Sequence, residues 1–179
     1  MSNVILKGNA SGTGTVTLES PNTNSDRTIS LPDSNGTVMV SGNMPAFSAY
    51  QSSGQTALSS NTWTKIQFQT KEFDTNNNFD STTNYRFTPT VAGYYQFTGC
   101  IAMAAATSSG WTAFYKNGSA FKYGAQISTT SGGAFASTAL IYCNGSTDYV
   151  EFYGYIGSSQ TLNTGASNTY FQGILVRAA

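Results

Sequence analysis

The sequence predicts an all-β fold, a sandwich or barrel of short strands, and three observations predict it. Apolar and aromatic residues recur at alternate positions in short runs, as with Tyr95 and Phe97, so they share one face of a strand. Clusters of Gly, Pro, Asn and Asp separate these runs at roughly the 8–12-residue spacing of sandwiches and barrels. No segment carries a sustained helical period. The chain has 179 residues, of which 13% are aromatic and 9% charged, with eight basic residues against eight acidic. An ordinary globular chain is about 25% charged. The aromatic content excludes disorder, and the neutral balance lacks the basic footprint of a nucleic-acid binder. So little charge suits a protein held permanently in an assembly.

Two composition zones divide the chain, 1–43 and 44–179. The boundary falls at Ser41-Gly-Asn-Met-Pro45, where Gly and Pro end strand pairing. The first zone holds three short alternating runs. They place Val16 with Leu18, Ile29 with Leu31, and Val38 with Val40. Turn formers separate them at Pro21–Asp26 and Pro32–Gly36. So few apolar side chains cannot stabilise about 40 residues alone. These strands are expected to anchor against a partner. The N-terminal Val4-Ile-Leu6 run is shorter than the apolar core of an export signal. No window approaches the ~18 apolar residues of a membrane helix. Membrane insertion is therefore not expected, and assembly in a host cytoplasm is.

The second zone reads as strands in order. Thr62–Gln69 sets Trp63, Lys65 and Gln67 against Thr64, Ile66 and Phe68. Lys71–Asp74 carries Phe73, and Asn84–Thr88 carries Tyr85 and Phe87. Pro89 and Gly93 mark the turn into a long run, Gly93–Met103. Gly110–Lys116 and Ser119–Gln126 flank Asn117-Gly118, a hairpin pair that tolerates positive φ. Ala134–Cys143 and Asp148–Ile156 flank Asn144–Thr147, expected to be a second hairpin, and Asn168–Arg177 closes the chain. Cys100 and Cys143 sit in apolar runs and read as buried reduced thiols, with a disulfide as the alternative.

Phe87, Gly93, Tyr95 and Phe97 together resemble the core signature of the C1q globular-head and tumour-necrosis-factor-like jelly roll. Further segments resemble that family in order: Phe73 with its Asn-rich turn, Lys116-Asn-Gly118, Asp148-Tyr-Val150 and Phe171-Gln-Gly-Ile-Leu175. The match spans 47–177. It implies a C1q/TNF-like jelly-roll sandwich that forms homotrimers, with Phe87, Gly93, Tyr95, Phe97, Phe152, Phe171 and Leu175 in its core. Separately, Arg27-Thr-Ile-Ser-Leu-Pro-Asp33 with Gly36-Thr-Val38 resembles N-terminal segments of bacteriophage tail-fibre and virion proteins. No collagen-like Gly-X-Y stem is present.

The chain has no histidine, the commonest general base and metal ligand. Glu72 with Asp74, and Asp148 with Glu151, are the close acidic groups. They read as turn formers and solvated strand residues, not a glycosidase pair. No catalytic, metal or cofactor site is expected, and no enzyme. In the run 149–155, Val150 and Phe152 take the core face. Tyr149, Glu151, Tyr153 and Tyr155 take the other, a composition suited to a partly polar trimer contact. The expected function is a homotrimeric bacteriophage virion structural protein on the virion surface. It would be a capsid decoration protein or short head fibre, fastened to other virion proteins through 1–43. The alternative is a tail-fibre tip that recognises host glycan or protein.

Overall fold

The computed structural model describes residues 44–179 apart from Thr56, together with 11–15, 17, 19, 22–26 and 28. The anchor-strand residues Val16, Leu18, Ile29, Leu31, Val38 and Val40 lie outside the described residues. The chain divides into two compact units, Met1–Gly36 and Thr37–Ala179. The second is built from strands alone among the described residues.

In chain order these are β1 Ala46–Tyr50, β2 Thr64–Lys65, β3 Thr70–Asp74, β4 Phe79–Asp80, β5 Arg86–Phe87 and β6 Gly93–Met103. There follow β7 Thr107–Lys116, β8 Ser119–Tyr123, β9 Ile127–Thr129, β10 Gly133–Cys143, β11 Val150–Ile156 and β12 Tyr170–Ala178. They form two antiparallel sheets. One has five strands in the order β10-β6-β12-β1-β3. The other has seven, ordered β4-β5-β11-β7-β8, with β2 beside β11 and β9 beside β7. This is a jelly-roll sandwich.

Alternation explains the packing. Gly93, Tyr95, Phe97 and Gly99 of β6 point inward, as do Phe171, Gly173 and Leu175 of β12 and Phe152 of β11. Between the sheets they meet an aromatic core. Phe47 stacks on Phe87 at 4.5 Å and Phe114 meets Phe152 at 5.1 Å. Each such pair adds roughly 0.5–1.5 kcal/mol beyond the burial of its area. The rings come so close to the backbone that two inward positions must be glycine. A Cβ on Gly173 would lie 2.6 Å from the Phe97 ring, and one on Gly99 would enter the ring of Phe152.

Several boundaries differ from the sequence reading. Thr62–Gln69 pairs as strand over Thr64–Lys65, and Asn84–Thr88 over Arg86–Phe87. Strands β1, β4 and β9 were not expected. Asn117-Gly118 does turn a hairpin, with φ of 53° and 79° and Lys116 opposite Ser119. Asn144–Thr147 does not. β10 pairs β6 in one sheet, while β11 pairs β7 in the other, so this turn carries the chain across the sandwich. The turn closes locally, because Asn144 Oδ1 accepts the backbone N–H groups of Ser146, Thr147 and Asp148.

Candidate assembly and recognition surfaces

Each sheet turns one face outward, and the same alternation that builds the core decides what stands there. On the five-stranded sheet the outward residues are Tyr94 and Gln96 of β6, Leu140 and Tyr142 of β10, and Ile174 and Val176 of β12. Strand register sets Tyr94 beside Tyr142 and puts Gln96 between Leu140 and Ile174. The two tyrosine rings touch at 5.4 Å. Leu140 is 54% exposed, Ile174 48%, Val176 58% and Phe73 of β3 51%. Thr98 and Thr138 share a hydroxyl hydrogen bond of 3.0 Å across the same face. A shallow depression of about 230 Å³ runs among Ala46, Phe73, Gln96, Thr98, Gln172 and Ile174. Scattered exposed apolar residues are ordinary, but here those of three adjacent strands cluster around Gln96, which suits an interaction surface.

The outward face of the seven-stranded sheet holds the residues expected to join subunits. Each is already engaged within the chain. The Arg86 guanidinium lies 4.1 Å above the Tyr149 ring. Glu151 is buried and takes a 3.0 Å ion pair from Lys65 on β2. Tyr153 stacks face to face on Tyr115 at 3.8 Å and 16°. Burial, then the charge of Glu151 and the neighbouring Tyr115 and Tyr149, push the Tyr153 hydroxyl up to about 12. The Tyr155 hydroxyl donates to Asn61 Oδ1 at 3.0 Å.

Beside Tyr155 lies a feature that sequence reasoning missed. Both tryptophans of the chain converge here. Trp63, Trp111, Tyr123 and Tyr155 line a depression of about 430 Å³, within the range of small-molecule sites. Trp63 lies 5.5 Å from Tyr123 and 5.5 Å from Tyr155. Trp111 opposes Tyr155 in the β7–β11 register, and Tyr123 opposes the buried Ala113 between them. The available signal was parity, since Trp63 alternates with the inward Ile66 and Phe68.

The acidic groups serve structure. Glu72 accepts from Ser48 Oγ at 2.7 Å, and Asp74 pairs Lys71 at 3.1 Å while receiving the N–H groups of Asn78 and Phe79. Asp80 caps its own turn, and the backbone N–H groups of Thr83 and Thr82 hold its carboxyl far below the usual range. Burial raises Asp148, but hydrogen bonds from Asn117, Lys116 and the Asn144 backbone outweigh it, so its pKa is lowered. Lys116 Nζ stands 2.9 Å from Asp148 Oδ2. Among the described residues, no cluster of His, Cys, Asp or Glu could hold a metal ion. No helix there is long and apolar enough to cross a membrane. Cys100 and Cys143 are free and buried. Cys143 stands opposite Gly93, seven residues along β6 from Cys100. That is roughly 24 Å of strand, so they cannot bridge. Burial pushes the Cys143 thiol up to about 12.

No known family and no curated protein matches this sequence. Solved structures do match its fold. Murine APRIL aligns with a TM-score of 0.59 at 9% identity, over 74% of this chain and 99% of that one. The globular domain of zebrafish complement 1qA gives 0.55 at 17%, over 75% and 98%. The vertex protein P5 of PRD1 gives 0.51 at 19%, over 73% and 93%. The fold is a C1q/TNF-like jelly roll.

Proposed function

We propose that this chain is a homotrimeric virion structural protein, a capsid decoration protein or short head fibre, whose jelly roll is an exposed knob. The observation that carries the reading is the uncovered apolar face of the five-stranded sheet, with Tyr94, Leu140, Tyr142, Ile174 and Val176. Desolvating such a face against sister copies supplies the association energy that so uncharged a chain cannot draw from ion pairs. We place the subunit contact here in preference to Tyr149, Glu151, Tyr153 and Tyr155, whose side chains already hold contacts within one subunit. The likeness to the PRD1 vertex protein supports a virion setting. Residues 1–43 fasten the knob to other virion proteins.

Light scattering of the full chain tests the trimer. The expected mass is three times the 19.0 kDa of one chain, and a monomer at micromolar concentration refutes it. Quantitative mass spectrometry of purified particles tests the setting, with many copies expected for a decoration protein. A second reading, the receptor-binding tip of a tail fibre, is favoured by the four-aromatic depression. It predicts few copies per particle.

A further inference from the structure

We infer that the depression lined by Trp63, Trp111, Tyr123 and Tyr155 is a binding site for a neutral glycan. The site names a ligand class for the tail-fibre reading but does not rest on it, since the purified chain would bind sugar wherever it sits on a particle.

Four observations carry the assignment. First, the site gathers both tryptophans of the chain, although four separate segments must meet to do so. Second, its rings reach solvent, with Tyr123 60% exposed and Trp63, Trp111 and Tyr155 half-buried. An aromatic cluster that served the core would be buried, as Phe114 and Phe152 are on the other side of the same sheet. Third, the lining carries no charge. The ion pair of Lys65 and Glu151 on the same sheet face neutralises itself at 3.0 Å. The lining therefore offers no counter-charge to an ionic ligand. Fourth, polar groups border the rings. Ser109 Oγ accepts from Trp111 Nε1 at 3.1 Å and from Gln126 Nε2 at 3.2 Å, and Asn61 holds the Tyr155 hydroxyl.

A pyranose ring has this complementary chemistry. Its axial C–H groups make an apolar face that stacks on an aromatic ring, and its equatorial hydroxyls need hydrogen-bond partners at the edge. An apolar lining with a few placed polar groups is the general form of a small-molecule site. A quaternary ammonium is the competing ligand, since ring faces within about 6 Å attract it, and tetramethylammonium serves as its probe. Here Trp63 leans on Tyr123 and Tyr155 at 50° and 49°. Those rings are inclined to one another around an open depression.

The test is an array of neutral hexose oligosaccharides, with sialylated and sulfated glycans as charged comparators, probed with the full chain. Hits are titrated by tryptophan emission, which reports from the site itself. At least one neutral glycan should bind and shift that emission. Tyr123→Ser removes an exposed ring, leaves the core intact and should weaken binding roughly two- to tenfold. Trp111→Ala should weaken it further, and Thr83→Ala in the exposed turn between β4 and β5 should not change it. The assignment is overturned if no neutral glycan binds, or if binding is confined to charged glycans. It is equally overturned if tetramethylammonium chloride shifts the emission where sugars do not, or if Tyr123→Ser lowers the oligomeric mass. Copy number per particle decides the tail-fibre reading separately.

Discussion

The two outward faces of this sandwich follow one alternation rule and reach different ends. On the five-stranded sheet, Leu140, Ile174 and Val176 stand in open solvent. On the seven-stranded sheet, Glu151 and Tyr153 are covered by Lys65 and Tyr115, Tyr149 lies under Arg86, and Tyr123 and Tyr155 lean on Trp63. Alternation decides which residues leave the core. It does not decide whether they find partners in the same chain. The face that finds few is the one we propose meets other copies of the chain, and the face that gathers four rings around a depression is the one we propose takes a small ligand.

The comparison can be broken from its common base outward. Phe171 packs against Phe47, Phe97, Phe114 and Phe152. Phe171→Ala should cost about 3–5 kcal/mol of stability, measured by chemical denaturation, and both faces should be lost together. Lys65→Met acts on one face alone. It leaves Glu151 buried without its cation, and because Lys65 is itself about a third exposed, the cost should be about 2 kcal/mol. Adding Glu151→Gln should recover much of it.

The Tyr115–Tyr153 stack should yield a coupling of about 1 kcal/mol in a double-mutant cycle with leucine at each position. The same tyrosine gives an alkaline signature. Its folded-state value, raised from 10.0 to about 12, means that the fold favours the neutral hydroxyl. That stabilisation is complete below pH 10 and is lost as pH rises toward 12. Ultraviolet titration of wild type against Tyr153→Phe should show one late-ionising phenol fewer, with Tyr95, Tyr115 and Tyr170 still raised by burial. Asp148 works in the opposite sense. Its lowered value makes its contribution complete above the ordinary 3.8 and lost as pH falls below it. Asp148→Asn should flatten that acid limb of the stability curve.

The smallest effect on the subunit sharpens the comparison most. Leu140→Asp and Ile174→Asp change exposed side chains, so the isolated fold should shift by less than about 0.5 kcal/mol. Light scattering should nevertheless report a smaller particle.

Sequence legibility followed how local the cause was. β6 was readable at both ends because Gly93, Tyr95, Phe97 and Gly99 alternate strictly with polar or exposed neighbours. β1 was not, because Ala46-Phe-Ser-Ala-Tyr50 holds small residues whose burial depends on β12 and β3 at its sides. Asn144–Thr147 has hairpin chemistry, yet which sheet receives the next strand is settled by the partners of β11, far away in sequence. The aromatic depression failed to show for the same reason, since residues 63, 111, 123 and 155 share no local pattern. The tyrosines of 149–155 were legible as outward. Their engagement by Lys65, Arg86 and Tyr115 was not.

β10 carries a further consequence. It runs eleven residues in unbroken register with β6, and among the described residues it is paired on that side alone. Its sequence, Gly-Ala-Phe-Ala-Ser-Thr-Ala-Leu-Ile-Tyr-Cys, has no charge, no proline and no bulge, the usual defences of an open edge. A lone subunit therefore presents a template for strand addition. The chain should disperse best while a neighbour shields that edge; isolated subunits should stay small at low concentration, and concentrating them would favour strand-to-strand polymers over soluble monomers.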